Sequence, residues 1–173
     1  MKRLSVKYIA YSAVVAAMYF SLTMLIQPLS YGPVQFRLSE ALAMLPFIMP
    51  ESVLGITVGC LLSNIFSTTF PVYDAIFGTL ATFAAGLMTR YIKNKWLAGL
   101  PPVLINAVTL PLMWYLAGGD AAYWLNFATI LASQTVIIYC VGVPLITLIQ
   151  KKMPSLVTRG SFRKKDEGHT SES

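Results

Sequence analysis

Two carboxylates and four carboxamides interrupt long apolar runs in this sequence: Glu40 and Asp74, with Asn64, Asn106, Asn126 and Gln134. An ionised group inside a bilayer is costly, so intramembrane acids are read first as functional. A carboxylate offers only acceptors, whereas an amide both donates and accepts. Such a set suits the binding of a polar or cationic solute. The acid Glu40 closes the stretch Tyr31-Gly-Pro-Val-Gln-Phe-Arg-Leu-Ser-Glu40, in which Arg37 is the only basic residue between Lys7 and Arg90. One reading makes Arg37 and Glu40 a structural pair at a helix N-terminus, where an acid suits the helix dipole. The other makes them part of a binding site, and the two are compatible. Two carboxylates face one cation, so a cationic or hydrogen-bond-donating ligand would make up the deficit. For Asn106 or Thr109 taken alone, helix-to-helix bonding worth about 0.6 kcal/mol suffices.

The elements that must position these groups are membrane helices. Of the 173 residues, 56% are hydrophobic and 12% are charged, about half the usual charged share of a soluble domain. The chain reads as all-α, a polytopic membrane protein with six transmembrane helices. Helix one is expected over Tyr8–Ile26, too long for the apolar part of a signal peptide. Helix two runs Leu38–Met49 and stops at Pro50, and helix three runs Glu51–Thr68. Thr69-Phe-Pro71 then breaks the chain. Helix four covers Tyr73–Ile92, helix five Trp96–Leu116 with a kink or late start near Pro101, and helix six Tyr123–Ile149 with a kink at Gly142/Pro144. Residues 1–152 form one six-helix domain, and residues 153–173 a polar, basic tail without regular structure. Cys60 and Cys140 read as small core residues.

Six helices place every Lys and Arg except Arg37, out of 13, on one face, which must be cytoplasmic, with both termini there. Glu40, Asn64, Asp74 and Asn126 then fall toward the outer ends of their helices, with Thr129, Ser133 and Gln134 following inward. This polarity argues for a cavity opening outward above an apolar inner plug. Tyr31, Phe36, Phe70, Tyr73, Tyr123, Trp124 and Phe127 lie at the same level. An interfacial belt accounts for most of them, Trp124 first, and one or two would stack on a flat ligand. Small residues form a stripe on helix one (Ala10, Ala13, Ala17, Ser21) and another on helix three (Gly55, Gly59, Ser63). The helix three stripe reads as packing inside the bundle. The helix one stripe is also open to docking by another membrane protein. No phosphate-binding loop, nucleophile constellation or metal motif is visible, so the chain does not energise itself with ATP and reads as no enzyme. No cofactor and no nucleic acid partner are expected.

Several stretches together carry a resemblance: Val34-Gln-Phe-Arg-Leu-Ser-Glu-Ala41 with Leu45-Pro46, Pro50-Glu51, Gly59-Cys-Leu-Leu-Ser-Asn64, Asp74 with Phe77-Gly-Thr-Leu-Ala81, Leu100-Pro-Pro-Val-Leu-Ile-Asn106, and Ser133-Gln134. The sequence resembles the QueT family, the substrate-binding S components of energy-coupling-factor (ECF) transporters for queuosine precursors. Where that family often has Gly before the helix-six Gln, this chain has Ser133. The resemblance implies six membrane helices binding a solute near the outer face, a transmembrane coupling protein and two cytoplasmic ATPases as partners, and release by toppling in the cell membrane. It also implies that Ala13 and Ala17 match the Ala-x-x-x-Ala docking motif, and that the Tyr31–Arg37 loop helps to close the site.

On that resemblance the ligand is a 7-deazaguanine, 7-aminomethyl-7-deazaguanine or queuine. Glu40 would accept the adjacent N–H donors of its pyrimidine edge, and Asp74 would face the cationic aminomethyl group, with the two roles open to exchange. Asn64, Asn106, Asn126 and Gln134 complete the polar edge. Arg37 neutralises Glu40 or holds the loop shut, and Phe36 lines the site. Alternatives are an S component for another flat heterocycle and a stand-alone proton-coupled carrier using Glu40 and Asp74. A purely structural subunit would leave those acids without a role.

Overall fold

The structure is a computed structural model and describes residues 6–30, 35–67, 71–118 and 122–157. Every regular element among the described residues is helical. Helix one is Val6–Leu25, helix two Leu38–Phe47, helix three Ser52–Ile65, helix four Pro71–Tyr91, helix five Leu97–Leu116 and helix six Tyr123–Lys152. Helices one, four, five and six are long and apolar enough to cross a membrane, and helices two and three are shorter. Large apolar side chains face outward on these helices, among them Val14, Met18, Leu80, Leu104 and Leu125. The interior holds an apolar core together with buried polar groups. The apolar outer surface is that of a protein solvated by lipid.

The chain alternates in direction. At one end, the Ser12 hydroxyl near the start of helix one donates to the carbonyl of Glu51, ahead of helix three (3.0 Å). Thr89 of helix four donates to the Ala98 carbonyl of helix five (3.0 Å), and Lys95 and Lys151 line one groove. At the other end, Gln27 donates to the Phe66 carbonyl beyond helix three (3.2 Å), and Trp114 of helix five packs on Ile130 of helix six. The described Lys and Arg residues other than Arg37 gather at the first end.

Helix two is the axis of the bundle. Ser39 through Phe47 are all buried, and helices one, three, four and six pack around them. Because its neighbours cover it on every side, no face of this segment is left to lipid. It winds as a 3-10 helix, which at about 2.0 Å per residue reaches about 20 Å, against about 15 Å for ten α-helical residues. Runs this long are unusual for that winding.

Other differences from the sequence expectation have local causes. Helices three and four are separate as expected, but helix four starts at Pro71 and not at Tyr73, because a first-turn residue needs no amide hydrogen. Residues 68–70 lie outside the described residues. The α-helical part of helix five begins at Leu100 after a 3-10 turn, with Pro101 and Pro102 in its first turn, as the late start required. In helix six a π-helical stretch, Ile137–Gly142, precedes Pro144. The widened turn accommodates the proline ring against the carbonyl four residues back. A short turn, Pro154–Leu156, follows helix six, and Leu156 and Val157 pack on the core. Cys60 is buried, but Cys140 is exposed on helix six and is no core residue.

Helix three lies against helix one at a backbone distance that only glycine permits. A Cβ on Gly59 would stand 2.7 Å from the Tyr19 Cβ and 2.8 Å from the Ala16 carbonyl oxygen, and one on Gly55 would stand 2.7 Å from the Ser12 carbonyl oxygen. The helix three stripe is therefore internal packing. On helix one the buried face is Val15, Ala16, Tyr19 and Thr23, while Ala10, Ala13, Ala17 and Ser21 are exposed.

Candidate functional site

Glu40 stands one residue inside the buried part of helix two, where the 3-10 winding holds its amide on the Arg37 carbonyl (3.0 Å). Its two oxygens each take one donor: the Tyr19 hydroxyl at 2.5 Å and the Asn106 amide at 3.3 Å. Helices one, two and five thus meet at this carboxylate. A carboxylate has about four acceptor sites, and these hydrogen bonds take one on each oxygen. Beside it, Thr23 and Ser39 share a hydroxyl hydrogen bond (2.7 Å). The buried Arg37 guanidinium donates to the Ser30 carbonyl (3.1 Å), tying the start of helix two to the turn after helix one.

The second carboxylate, Asp74, opens a π-helical stretch, Asp74–Gly78, in helix four, a distortion frequent at functional sites. One of its oxygens accepts from the Ser67 hydroxyl. The other is buried without a hydrogen-bond partner among the described residues. Asn64 donates to the Asp74 carbonyl (2.8 Å) and to the Cys60 sulfur (3.3 Å). Its own side-chain oxygen has no partner among the described residues. Gly78 makes room for this amide, since a Cβ there would stand 2.8 Å from Asn64 Nδ2. Cys60 also belongs to the core cluster that holds Tyr19, so it sits between the two carboxylate centres.

Helix six turns Asn126, Ile130, Ser133 and Gln134 inward and leaves Thr129 half-buried. The Gln134 side chain is fully buried, and neither its nitrogen nor its oxygen has a partner among the described residues. Buried polar groups in that state are rare, because each forfeits its hydration without replacement. Phe36 is half-buried. Trp124 is 77% exposed, consistent with the interfacial belt, while Tyr123 stacks on Phe127 at 6.4 Å. Tyr31 and Phe70 lie outside the described residues.

Three groups escaped the sequence reading. Tyr19 looks like one more aromatic in an apolar helix, and nothing in its spacing points to Glu40. Gln35 is fully buried, its amide atoms lack partners among the described residues, and its φ of +45° is left-handed. Non-glycine residues seldom adopt that conformation, and it clusters at functional sites. Trp114 buries its indole N–H without a partner among the described residues. It lies two turns beyond Asn106 on one face of helix five, a spacing of i+8 that offered a signal.

Comparison with known proteins bears on the family of the chain. Residues 9–151 match the model of the family described as QueT transporter. A 72-residue stretch is 43% identical to the protein named "Queuosine precursor transporter QueT" of Lactococcus lactis subsp. cremoris (strain MG1363), covering 40% of this chain and 41% of that one. The match thus spans about two fifths of that relative's length. No solved structure matches. With a family match over most of its length and several apolar helices able to cross a membrane, this chain is a multi-pass protein of the cell membrane and belongs to the QueT transporter family.

Proposed function

We propose that the chain is the substrate-binding S component of an ECF-type ATP-driven importer and binds a queuosine precursor, 7-aminomethyl-7-deazaguanine or queuine. The observation that carries this reading is the set of buried polar atoms that lack partners among the described residues: both amide atoms of Gln134, one oxygen each of Asp74 and Asn64, and the Trp114 N–H. These atoms mix donors and acceptors and the Glu40 carboxylate adds acceptors, as a guanine-like edge with a cationic arm requires. In this reading Glu40 accepts the N–H pair of the pyrimidine edge and Asp74 faces the aminomethyl group. Asn64, Asn106, Asn126 and Gln134 complete the polar contacts, Phe36 lines the site, and Arg37 braces the loop that closes it.

The polar groups sit at the end away from the basic residues. Under the positive-inside rule that end faces outward, with helices two and three completing six spans and both termini in the cytoplasm. Ala13 and Ala17 lie on the exposed face of helix one, open to a coupling protein that would join the chain to two ATPases.

Calorimetric titration of the purified chain tests the reading. It should bind 7-aminomethyl-7-deazaguanine or queuine with sub-micromolar affinity and ignore riboflavin and thiamine. Silence toward both deazaguanines in folded, monodisperse protein would overturn it. Asp74→Asn should weaken the aminomethyl ligand about tenfold or more and an amine-free 7-deazaguanine far less, since charge-assisted hydrogen bonds are about twice as strong as neutral ones. An equal loss for both would exchange the roles of the two acids. The buried pair Glu40 and Asp74 also suits a proton-coupled carrier. Uptake that survives loss of the ATPases and collapses with an uncoupler would favour that instead.

A further inference from the structure

A second site lies at the opposite, basic end. Lys95, Trp96, Tyr139, Val143, Pro144, Thr147, Leu148 and Lys151 line an open groove of about 390 Å³ between the start of helix five and the last turns of helix six. Its walls are apolar, and no acidic side chain lines it. Lys95 and Lys151 bring two ammonium groups to this one groove, from segments more than fifty residues apart. Trp96 and Tyr139 stack at 6.1 Å with an interplanar angle of 13°, and the Tyr139 hydroxyl donates to the Trp96 carbonyl at 2.9 Å. Lys95 Nζ stands 5.7 Å from the centre of the Trp96 ring. The aromatic pair is thereby fixed across the two helices, with Trp96 54% exposed.

We propose that this groove holds an anionic glycerophospholipid, its phosphate between Lys95 and Lys151 and an acyl chain along Val143, Pro144 and Leu148. Trp and Tyr have amphipathic rings that settle at the headgroup level. Lysine binds phosphate as a point charge, and basic pockets between membrane helices suit anionic headgroups. A zwitterionic lipid would add its own cation to a groove that already holds two. The chain's own residues 158–173, with four basic and three acidic side chains, do not supply the missing negative charge.

The test is native mass spectrometry of the full chain released from membranes containing equal phosphatidylglycerol and phosphatidylcholine. The parent should retain phosphatidylglycerol over phosphatidylcholine by about tenfold or more. Lys95→Gln/Lys151→Gln should abolish the preference, while Lys93→Gln/Lys152→Gln, equal in charge and outside the groove lining, should keep it. Thr147→Trp, which fills the groove and leaves both lysines, should also lower retention. The proposal is overturned if the parent shows no preference, if the groove pair retains lipid like the parent, or if both pairs lose it equally.

Discussion

Glu40→Gln is expected to weaken 7-aminomethyl-7-deazaguanine binding by about ten- to a hundredfold while the protein stays folded. A hydrogen bond to a charged group contributes about 1.5–3 kcal/mol, and an amide cannot accept two parallel N–H donors. Glutamine keeps the shape of the side chain. Its oxygen can still take the Tyr19 hydroxyl, and Asn106 can turn its amide to present an acceptor. Glu40→Ala is a harsher change. It strands the Tyr19 hydroxyl and the Asn106 amide in a buried place, at about 1–3 kcal/mol for each unsatisfied group, so it should lower both affinity and melting temperature. The pair of variants separates binding from folding. Glu40→Gln with parental affinity would remove Glu40 from the ligand contacts and leave it as a brace between helices one, two and five.

Gly59→Val is expected to be the most damaging small substitution in the chain. Its Cβ would enter space held by the Ala16 carbonyl and the Tyr19 Cβ, and backbone cannot turn aside as a long side chain does. Overpacking costs about 1–3 kcal/mol, occasionally more, and Gly59→Ala should already cost an amount in that range. Because Tyr19 rides on the displaced helix, its hydroxyl moves off Glu40 and ligand affinity should fall together with stability. Thermal unfolding in detergent and a parallel titration measure both. An unchanged melting temperature in Gly59→Ala would mean that helices one and three are farther apart than described.

Much of this was legible in the sequence, and for physical reasons. Asn64, Asp74, Asn106, Asn126 and Gln134 stand out because a polar residue in an apolar run must be buried, paired or costly, and the structure buries each of them. The order of the apolar segments and the proline positions gave the element sequence. The winding of helix two was not legible, because a segment buried on all sides has no polar face whose periodicity gives a pitch. Among the described residues four helices have the length and composition to cross a membrane unaided, and the two apolar helices on either side of Pro50 are shorter. Tyr19 was hidden by its context: an aromatic among apolar neighbours looks the same whether its hydroxyl meets lipid headgroups or a carboxylate. Trp114 was less well hidden, since its spacing of eight from Asn106 puts both on one face of helix five. The left-handed Gln35 is a property of the backbone that no residue type announces.

The burial of helix two bears on how the protein is made. A segment buried on every side depends on its neighbours for its packing, and these include helix six, about a hundred residues later in the chain. Glu40 emerges from the ribosome early, yet the interior that shelters it is complete only after Gln134 and Gly142 have been synthesised. The candidate site is therefore closed only when helix six is in place, and a nascent chain halted before helix six exposes core that helix six would cover. Such an intermediate depends on long-range contacts that form slowly and is a natural target for membrane quality control.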